Sequence, residues 1–379
     1  MYWLEDYGAM IADSVRIGPY VRALECAVRP GDVVVDLGSG PGFLALIAAR
    51  AGASRVYAID FAEIVHFGRQ FAATNNLTDR IEFLHCDSQQ VQLPERANVI
   101  VSDIRGTLPF SGHSVLSLQD ARRRFLAEGG TMIPQRDTLY AAVVESGKCY
   151  NELISPWQSS IKGLDLSAAL PYVLNEVHGT HFTPQQLVTE PQAWCVLEYM
   201  KDPSIRAAAT LQFRATRDVT SHGVALWFDT QLFGDYGFSS APGPNTVYGH
   251  SFLPWLQPVT ITVGQAIQVE LHADPVGGDY LWQWETKIYD RRNHVAHHFQ
   301  QSTLLGTRFS PERLRRHDLD YVPVLSEVGE AERWLLQAMD GKAPMQEIAQ
   351  TAAEHFPKVF RRREEAFRRA AELAEKYSR

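Results

Sequence analysis

The chain has 379 residues, which is long enough for two or three domains. Its 45% hydrophobic and 21% charged residues are ordinary for a globular protein, and a net charge of −8 argues against general binding to nucleic acid or anionic membranes. The four cysteines lack CxxC spacing, which argues against a zinc site or a disulfide framework. The sequence shows no secretory signal and no apolar run of about 18 residues. These features predict a cytoplasmic protein without a metal ion, a nucleic-acid partner or a membrane partner.

The chain divides into three stretches with different patterns. Residues 20–140 alternate β-rich and helical runs, which predicts a doubly wound, Rossmann-like α/β domain with a mostly parallel sheet. Period-two runs between 139 and 290 predict an antiparallel β-barrel or sandwich, and helical periodicity after 306 predicts a small helical domain. The predicted domains are 1–135, 136–305 with an arm near 157–180, and 306–379.

A glycine turn in the first stretch is the strongest functional signal. Gly38, Gly40 and Gly42 follow a buried apolar run that contains Asp36, and Asp60 ends the next β-rich run. The spacing Gly-x-Gly-x-Gly differs from the pyrophosphate-binding Gly-x-Gly-x-x-Gly, and a carboxylate before the turn suits a cationic ligand. We therefore predict an S-adenosylmethionine site, with a nicotinamide or flavin site as the alternative, in which Asp60 binds the ribose.

Other candidate residues follow later β-rich runs. The segment Asp87, Ser88 and Gln89 lies where such sheets contact the adenine edge of a ligand.

Asp103 follows the predicted fourth strand, and we expect it to orient or deprotonate an acceptor; a turn or helix cap is the alternative. His113 is a candidate base or a solvent-facing loop residue. Arg105 is a candidate for binding a substrate carboxylate or for a structural ion pair. We interpret His294, His297 and His298 as a solvated linker and not as metal ligands.

The order of an α/β half, the glycine turn and a β half resembles the protein arginine methyltransferases over about residues 7–290. The resemblance implies that Arg16 meets the cofactor carboxylate and that Tyr7 and Met10 face the acceptor pocket. It also implies that Trp255, in a weakened version of the family's Thr-His-Trp loop, belongs to that pocket. The segment from Gly163 resembles the arm through which the family dimerises, so a homodimer is expected.

The chain departs from that family where the family binds its substrate. The family holds a guanidinium between two glutamates, whereas this chain has Asp103 at the first position and Gly112, or His113 with a gap, at the second. Losing one charge-assisted hydrogen bond costs about 1.5–3 kcal/mol, and Arg105 would add repulsion if it faced the pocket. We therefore expect an acceptor other than a free guanidinium.

The last stretch carries a second resemblance. Asp320-Tyr-Val-Pro-Val-Leu, the Asp340-Gly341 turn and Glu347-Ile-Ala are similar to PqqD-like domains, small strand-plus-helix modules that hold the leader of a precursor peptide. A helical extension that supports the barrel is the alternative.

The sequence therefore predicts an S-adenosylmethionine-dependent methyltransferase acting on a peptide or protein, in particular a ribosomally synthesised precursor peptide. The alternative within enzymes is a protein arginine N-methyltransferase with a reduced acidic pocket. A non-catalytic cofactor-binding scaffold is the alternative of another class.

Overall fold

The structure, a computed structural model, describes residues 3–158, 162–243, 246–307, 315–316 and 320–378. The chain forms two compact units, residues 1–307 and 308–379. Part of the predicted arm (159–161) and of the predicted third domain (308–314 and 317–319) lies outside the described residues. Within the described residues, no helix is long and apolar enough to cross a membrane.

The first half of the larger unit is a five-stranded parallel sheet in the order β3-β2-β1-β4-β5. Buried valines and isoleucines fill its strands, as expected for a sheet covered by helices on both faces. Its elements are α1 (Leu4–Ala12), α2 (Ser14–Ala27), β1 (Val33–Leu37), α3 (Phe43–Ala51), β2 (Arg55–Asp60), α4 (Val65–Thr74), β3 (Ile81–His85), β4 (Ala97–Ser102), α5 (Ser114–Phe125) and β5 (Leu126–Ile133).

The second half of the larger unit consists of two antiparallel sheets. One has the order β7-β12-β10-β6-β8, with β11 paired to β10, and the other has the order β15-β14-β13-β9. Its elements are β6 (Arg136–Val144), α6 (Gly147–Gln158), α7 (Leu170–Val173), β7 (His178–Thr180), β8 (Gln192–Glu198), β9 (Ala207–Arg214), β10 (Val219–Phe233), β11 (Tyr236–Ser239), β12 (His250–Ile261), β13 (Ala266–Val276), β14 (Asp279–Tyr289), β15 (Val295–Ser302) and α8 (Thr303–Gly306).

The predicted fold class is confirmed, because the parallel sheet, the antiparallel sheets and the C-terminal helices are all present. One local interpretation is wrong. His297 and His298 belong to β15, and His298 pairs with Glu285 of the neighbouring strand at 2.5 Å. His297 and His298 thus lie on a strand and not in a linker. Within the described residues, no cluster of His, Cys, Asp or Glu could hold a metal ion.

The smaller unit contains three helices in its described part, and each buries one face. Ala331, Leu335, Ile348 and Leu373 are among the residues of their shared apolar core. The segment 321–325, which is part of the resemblance to PqqD-like modules, is exposed and forms no strand. The helices are α9 (Glu327–Ala338), α10 (Met345–His355) and α11 (Arg363–Tyr377).

Candidate active site

A cavity of about 1050 Å³ opens at the carboxyl end of the parallel sheet. Segments that follow β1, β2 and β4 line it, together with α1, the start of α2, and Val247 and Tyr248 of the antiparallel half. The strand order reverses between β1 and β4, and ligands of such sheets bind at this point because the adjacent loops diverge there.

The glycine turn forms one wall and requires its glycines. Gly38 has φ +69° and Gly40 has φ +53°, a backbone conformation that other residues rarely adopt. A Cβ on Gly38 would lie 2.1 Å from Ile104, and one on Gly40 would lie 2.6 Å from the Tyr7 ring. The turn therefore keeps its backbone bare where α1 and the segment after β4 approach it.

Asp36 and Asp60 are acidic residues that line the cavity together with the glycine turn. Asp60 accepts hydrogen bonds from the backbone N–H groups of Gly40 (2.7 Å) and Ala62 (2.8 Å), so it fixes the glycine turn. Asp36 accepts one bond from the N–H of Ala45 (2.8 Å) and is 1% exposed. Burial raises the pKa of Asp36 to about 7. Neither carboxylate forms an ion pair with a side chain in the described part of the chain.

These residues fit S-adenosylmethionine. Asp36 is buried and has no cationic partner among the described side chains, so a cationic ligand would relieve the cost of ionising it. A ligand with a sulfonium and an α-amino group supplies such charge. A dinucleotide brings negative phosphates instead, which makes the alternative nicotinamide or flavin site a poorer match to Asp36.

Asp103, which follows β4, also lines the cavity, and its side chain is 6% exposed. We call the part of the cavity that Asp103 lines the acceptor end, and the part that Asp36 and Asp60 line the cofactor end. Arg16 Nε donates to its carboxylate, and Arg105 Nη2 donates to it at 3.2 Å. The hydroxyl of Tyr248 lies 2.6 and 2.8 Å from its two oxygens. Burial favours the neutral acid, but Arg16 and Arg105 outweigh it and hold the pKa of Asp103 below its usual value. Asp103 is therefore an ionised, fully engaged carboxylate and a poor base.

Arg105 connects this site to the antiparallel half. Its Nη1 donates to Asp137 on β6 (2.7 Å) and to Thr230 on β10 (2.8 Å), and its Nη2 donates to the Tyr20 hydroxyl. The guanidinium carbon also lies 5.0 Å from the Phe228 ring centroid. This geometry supports the structural ion pair over a free arginine that receives a substrate carboxylate.

Two residues expected at the acceptor end lie elsewhere. Trp255 is 0% exposed and packs against Phe299 of the second antiparallel sheet, with ring centroids 6.0 Å apart. The expectation that it lines the pocket is wrong, because its side chain belongs to the core between the sheets. His113 is not one of the residues that line the cavity. It lies beside Gly278, which belongs to the turn between β13 and β14. Its expected role as a base is not supported by this position.

The expected adenine segment also lies outside the cavity walls. Asp87 accepts a hydrogen bond from the N–H of Gln89 (2.9 Å), and the Ser88 carbonyl accepts one from Arg124 (2.6 Å). Gly42 packs against Phe83 and does not line the cavity. The remaining expected site residues line it, namely Tyr7, Met10, Arg16, Asp36, Gly38, Gly40, Asp60, Asp103 and Arg105. Their roles toward a ligand stay predictions.

Sequence reasoning missed Tyr248 and Asp137, which complete the charged site. Tyr248 is separated from Asp103 by 145 positions, and Asp137 is separated from Arg105 by 32. Only one local signal was available, an aspartate near the start of the mostly apolar strand β6. A buried carboxylate there needs a cation, which Arg105 supplies.

Comparisons with known proteins agree with this architecture. Residues 20–134 match the family model described as Ribosomal protein L11 methyltransferase (PrmA). Residues 135–277 match the model described as Arginine methyltransferase oligomerization subdomain.

Among curated relatives, a probable histone-arginine methyltransferase CARM1 of Oryza sativa subsp. indica is 32% identical over 281 residues, covering 69% of this chain and 53% of the relative. A probable protein arginine N-methyltransferase 6 of Arabidopsis thaliana is 29% identical, covering 62% of this chain and 56% of the relative. The chain thus spans about half the length of these relatives.

Two solved structures share the fold. Arabidopsis thaliana protein arginine methyltransferase 10 superposes with a TM-score of 0.70 at 20% identity, covering 79% of this chain and 98% of that one. The Trypanosoma brucei PRMT1 enzyme-prozyme complex with AdoHcy gives 0.71 at 18% identity, covering 78% and 96%. The matched family model and the curated relatives are named as methyltransferases, and the Trypanosoma brucei structure contains AdoHcy, in agreement with the predicted enzyme class and cofactor. The chain is therefore similar to the protein arginine methyltransferases in both halves, on the fold of a class I S-adenosylmethionine-dependent methyltransferase.

Proposed function

We propose that this protein is an S-adenosylmethionine-dependent methyltransferase that modifies a side chain of a peptide or protein. One observation carries the proposal. Two buried carboxylates without ion-pair partners among the described residues, Asp36 and Asp60, flank a glycine turn in a cavity of about 1050 Å³ that Asp103 also lines. A cationic nucleoside fits the cofactor end, and the acceptor end leaves room for an acceptor.

The residues of the cofactor end would hold the cofactor. Asp60 is placed to accept hydrogen bonds from ribose hydroxyls, and Asp36 would lie near its positive charge. When bound, S-adenosylmethionine supplies a methyl group on cationic sulfur, and transfer yields neutral S-adenosylhomocysteine and an acceptor that has gained the methyl and lost a proton. The protein's own contribution is alignment and exclusion of water, because such a displacement needs its groups in line.

Arginine is the first candidate acceptor, because the curated relatives are named as arginine methyltransferases. A second candidate, an acceptor other than a guanidinium, is supported by a specific observation. Asp103 already receives two guanidinium groups and a hydroxyl. By the resemblance to the family, the second acidic position holds Gly112, or His113 with a gap. The acidic clamp of an arginine site is thus reduced here to one carboxylate that is already compensated.

The smaller unit is proposed to recognise the substrate. The residues that line the cavity all belong to the unit 1–307, so the unit 308–379 has no assigned role in the cofactor site. A leader-bearing precursor peptide is the substrate that the resemblance of its sequence to PqqD-like domains favours. A recognition unit on the same chain raises the effective concentration of the acceptor.

The protein is further proposed to act as a homodimer. The segment 163–173 exposes Leu164 (62%) and Tyr172 (43%). Such apolar side chains are costly in water unless a second copy covers them. Light scattering that gives the monomer mass at micromolar concentrations would contradict this proposal.

Calorimetric titration with S-adenosylhomocysteine tests the cofactor site. Asp60→Ala should weaken binding by about 2–4 kcal/mol, since two hydrogen bonds to ribose are lost at about 1–2 kcal/mol each. Glu63→Ala is the matched control, because Glu63 is exposed and does not line the cavity. Equal affinities of the two variants would overturn the cofactor assignment. Binding without methyl transfer to any peptide in a mass-spectrometric library screen would favour the scaffold alternative.

A further inference from the structure

The acceptor end of the cavity is electrically balanced by the protein itself. Asp103 and Asp137 face Arg16 and Arg105 in one connected set of ion pairs, and the four side chains are 0–10% exposed. Asp36 and Asp60 lie at the cofactor end, and the carboxylate of Asp6 holds the N–H of Trp3 at 2.7 Å on the exposed helix α1. An incoming cation therefore finds Asp103 and Asp137 already compensated by Arg16 and Arg105.

Arg105 is fixed in this position. Its guanidinium donates to two carboxylates, a threonine hydroxyl and a tyrosine hydroxyl. Aromatic rings surround it as well, with centroids 5.0–6.0 Å from its central carbon, namely those of Tyr20, Phe228, Phe238 and Tyr248. Carboxylates together with aromatic faces are the groups that bind a guanidinium. The protein thus contains a binding site for a guanidinium group, and the guanidinium of Arg105 occupies it.

We propose that Arg105 is a specificity-determining residue, a resident guanidinium that makes the acceptor end refuse guanidinium and ammonium groups and admit an uncharged nitrogen or oxygen nucleophile. The inference rests on the proposed methyltransferase function and deepens it by choosing between its two candidate acceptors, in favour of the one without a guanidinium. A second guanidinium beside Asp103 would have to displace Arg105 or accept its repulsion. At about 6 Å and an effective dielectric near 20, the repulsion from Arg105 alone corresponds to about a hundredfold weaker binding, and the attraction of Asp103 offsets part of it.

The experiment compares two probes of the same shape. N-acetyl-arginine methylamide carries a guanidinium, and N-acetyl-citrulline methylamide carries an uncharged urea in its place. Binding to the full-length protein is measured by ligand-observed NMR, with and without S-adenosylhomocysteine. The wild type should bind the citrulline probe at least about tenfold more tightly than the arginine probe, a conservative part of the hundredfold repulsion.

The informative variant is the double substitution Arg105→Met with Asp137→Asn. It removes the resident cation together with its main partner, so no buried charge is left unpaired and Asp103 remains for an incoming cation. Its preference should reverse toward the arginine probe. Asp137→Asn alone is the matched control and should keep the wild-type preference, because Arg105 stays in place. A role confined to stability would leave the ratio of the two affinities unchanged.

Two outcomes would overturn the inference. One is a wild type that binds or methylates the arginine probe as well as the citrulline probe, a result that holds even if the double variant does not fold. The other is a folded double variant without any gain for the arginine probe. Failure of the proposed function gives a different result, because the wild type would then not bind S-adenosylhomocysteine whatever its preference between the probes.

Discussion

The buried carboxylates at the two ends of the cavity differ in their partners. At the cofactor end, Asp36 and Asp60 accept backbone hydrogen bonds and form no ion pair with the described side chains. At the acceptor end, Asp103 is held by two guanidinium groups and a tyrosine hydroxyl. A buried carboxylate without a cation is a site that a cationic ligand completes, whereas a neutralised one has no such need. The same residue type therefore indicates a ligand at one end and internal structure at the other.

The largest expected effect comes from removing the cation of the acceptor end. Arg105→Met leaves Asp137 buried without its partner, which should lower the free energy of unfolding by about 3–5 kcal/mol. Arg123→Met makes the same substitution in an exposed ion pair with Asp202 and should change it by less than about 1 kcal/mol. Urea denaturation measures both. Similar small losses in the two variants would show that Arg105 does not balance buried charge.

At the cofactor end, substituting the buried charged residue should raise the free energy of unfolding instead of lowering it. Burial raises the pKa of Asp36 from 3.8 to about 7, so the stability that this group contributes is present at low pH and is lost as pH rises through about 7. Without cofactor, Asp36→Asn should match the wild type near pH 4 and exceed its unfolding free energy by up to about 4 kcal/mol above pH 8, at about 1.4 kcal/mol for each pKa unit.

Urea denaturation across this pH range checks the prediction, with the exposed Asp79→Asn as control. The same Asp36→Asn change should weaken S-adenosylhomocysteine binding, since the cationic α-amino group of the ligand loses its counter-charge. A gain in stability that does not depend on pH would contradict the assignment.

A smaller effect is expected from the hydroxyl that completes the Asp103 site. Tyr248→Phe removes one hydrogen bond to an ionised carboxylate and should cost about 1.5–3 kcal/mol of stability at neutral pH. Tyr289→Phe, whose hydroxyl contacts the uncharged Gln268 at 3.2 Å, should cost about 0.5–1.5 kcal/mol. Thermal unfolding of the two variants side by side tests the difference. A larger loss from Tyr289→Phe would refute it.

The smallest effect on the cofactor end should come from the separate unit. A chain that ends at Thr307 keeps every residue that lines the cavity, so its affinity for S-adenosylhomocysteine should stay within about twofold of the full chain, or about 0.4 kcal/mol. The KM for a leader-bearing peptide should rise, since the recognition unit is gone. Lost cofactor binding would show that the helices support the first unit, and an unchanged KM would rule out leader recognition.

The sequence by itself determined the cofactor end. The glycine turn, Asp36 and Asp60 lie within 25 residues of one another, and a strand, a turn and a second strand bring them together by local geometry. The alternation of β-rich and helical runs likewise determined the parallel sheet, since that pattern is a property of each segment.

Only the tertiary structure decided the acceptor end. Whether Arg105 faces a substrate or Asp137 depends on how the antiparallel half packs against β4, and the same packing brings Tyr248 to Asp103. Trp255 and His113 show the converse, because packing between sheets and against a turn removes both from the cavity. Residues far apart in the chain are brought together by many packing contacts, and these contacts cannot be predicted from a short spacing pattern in the sequence.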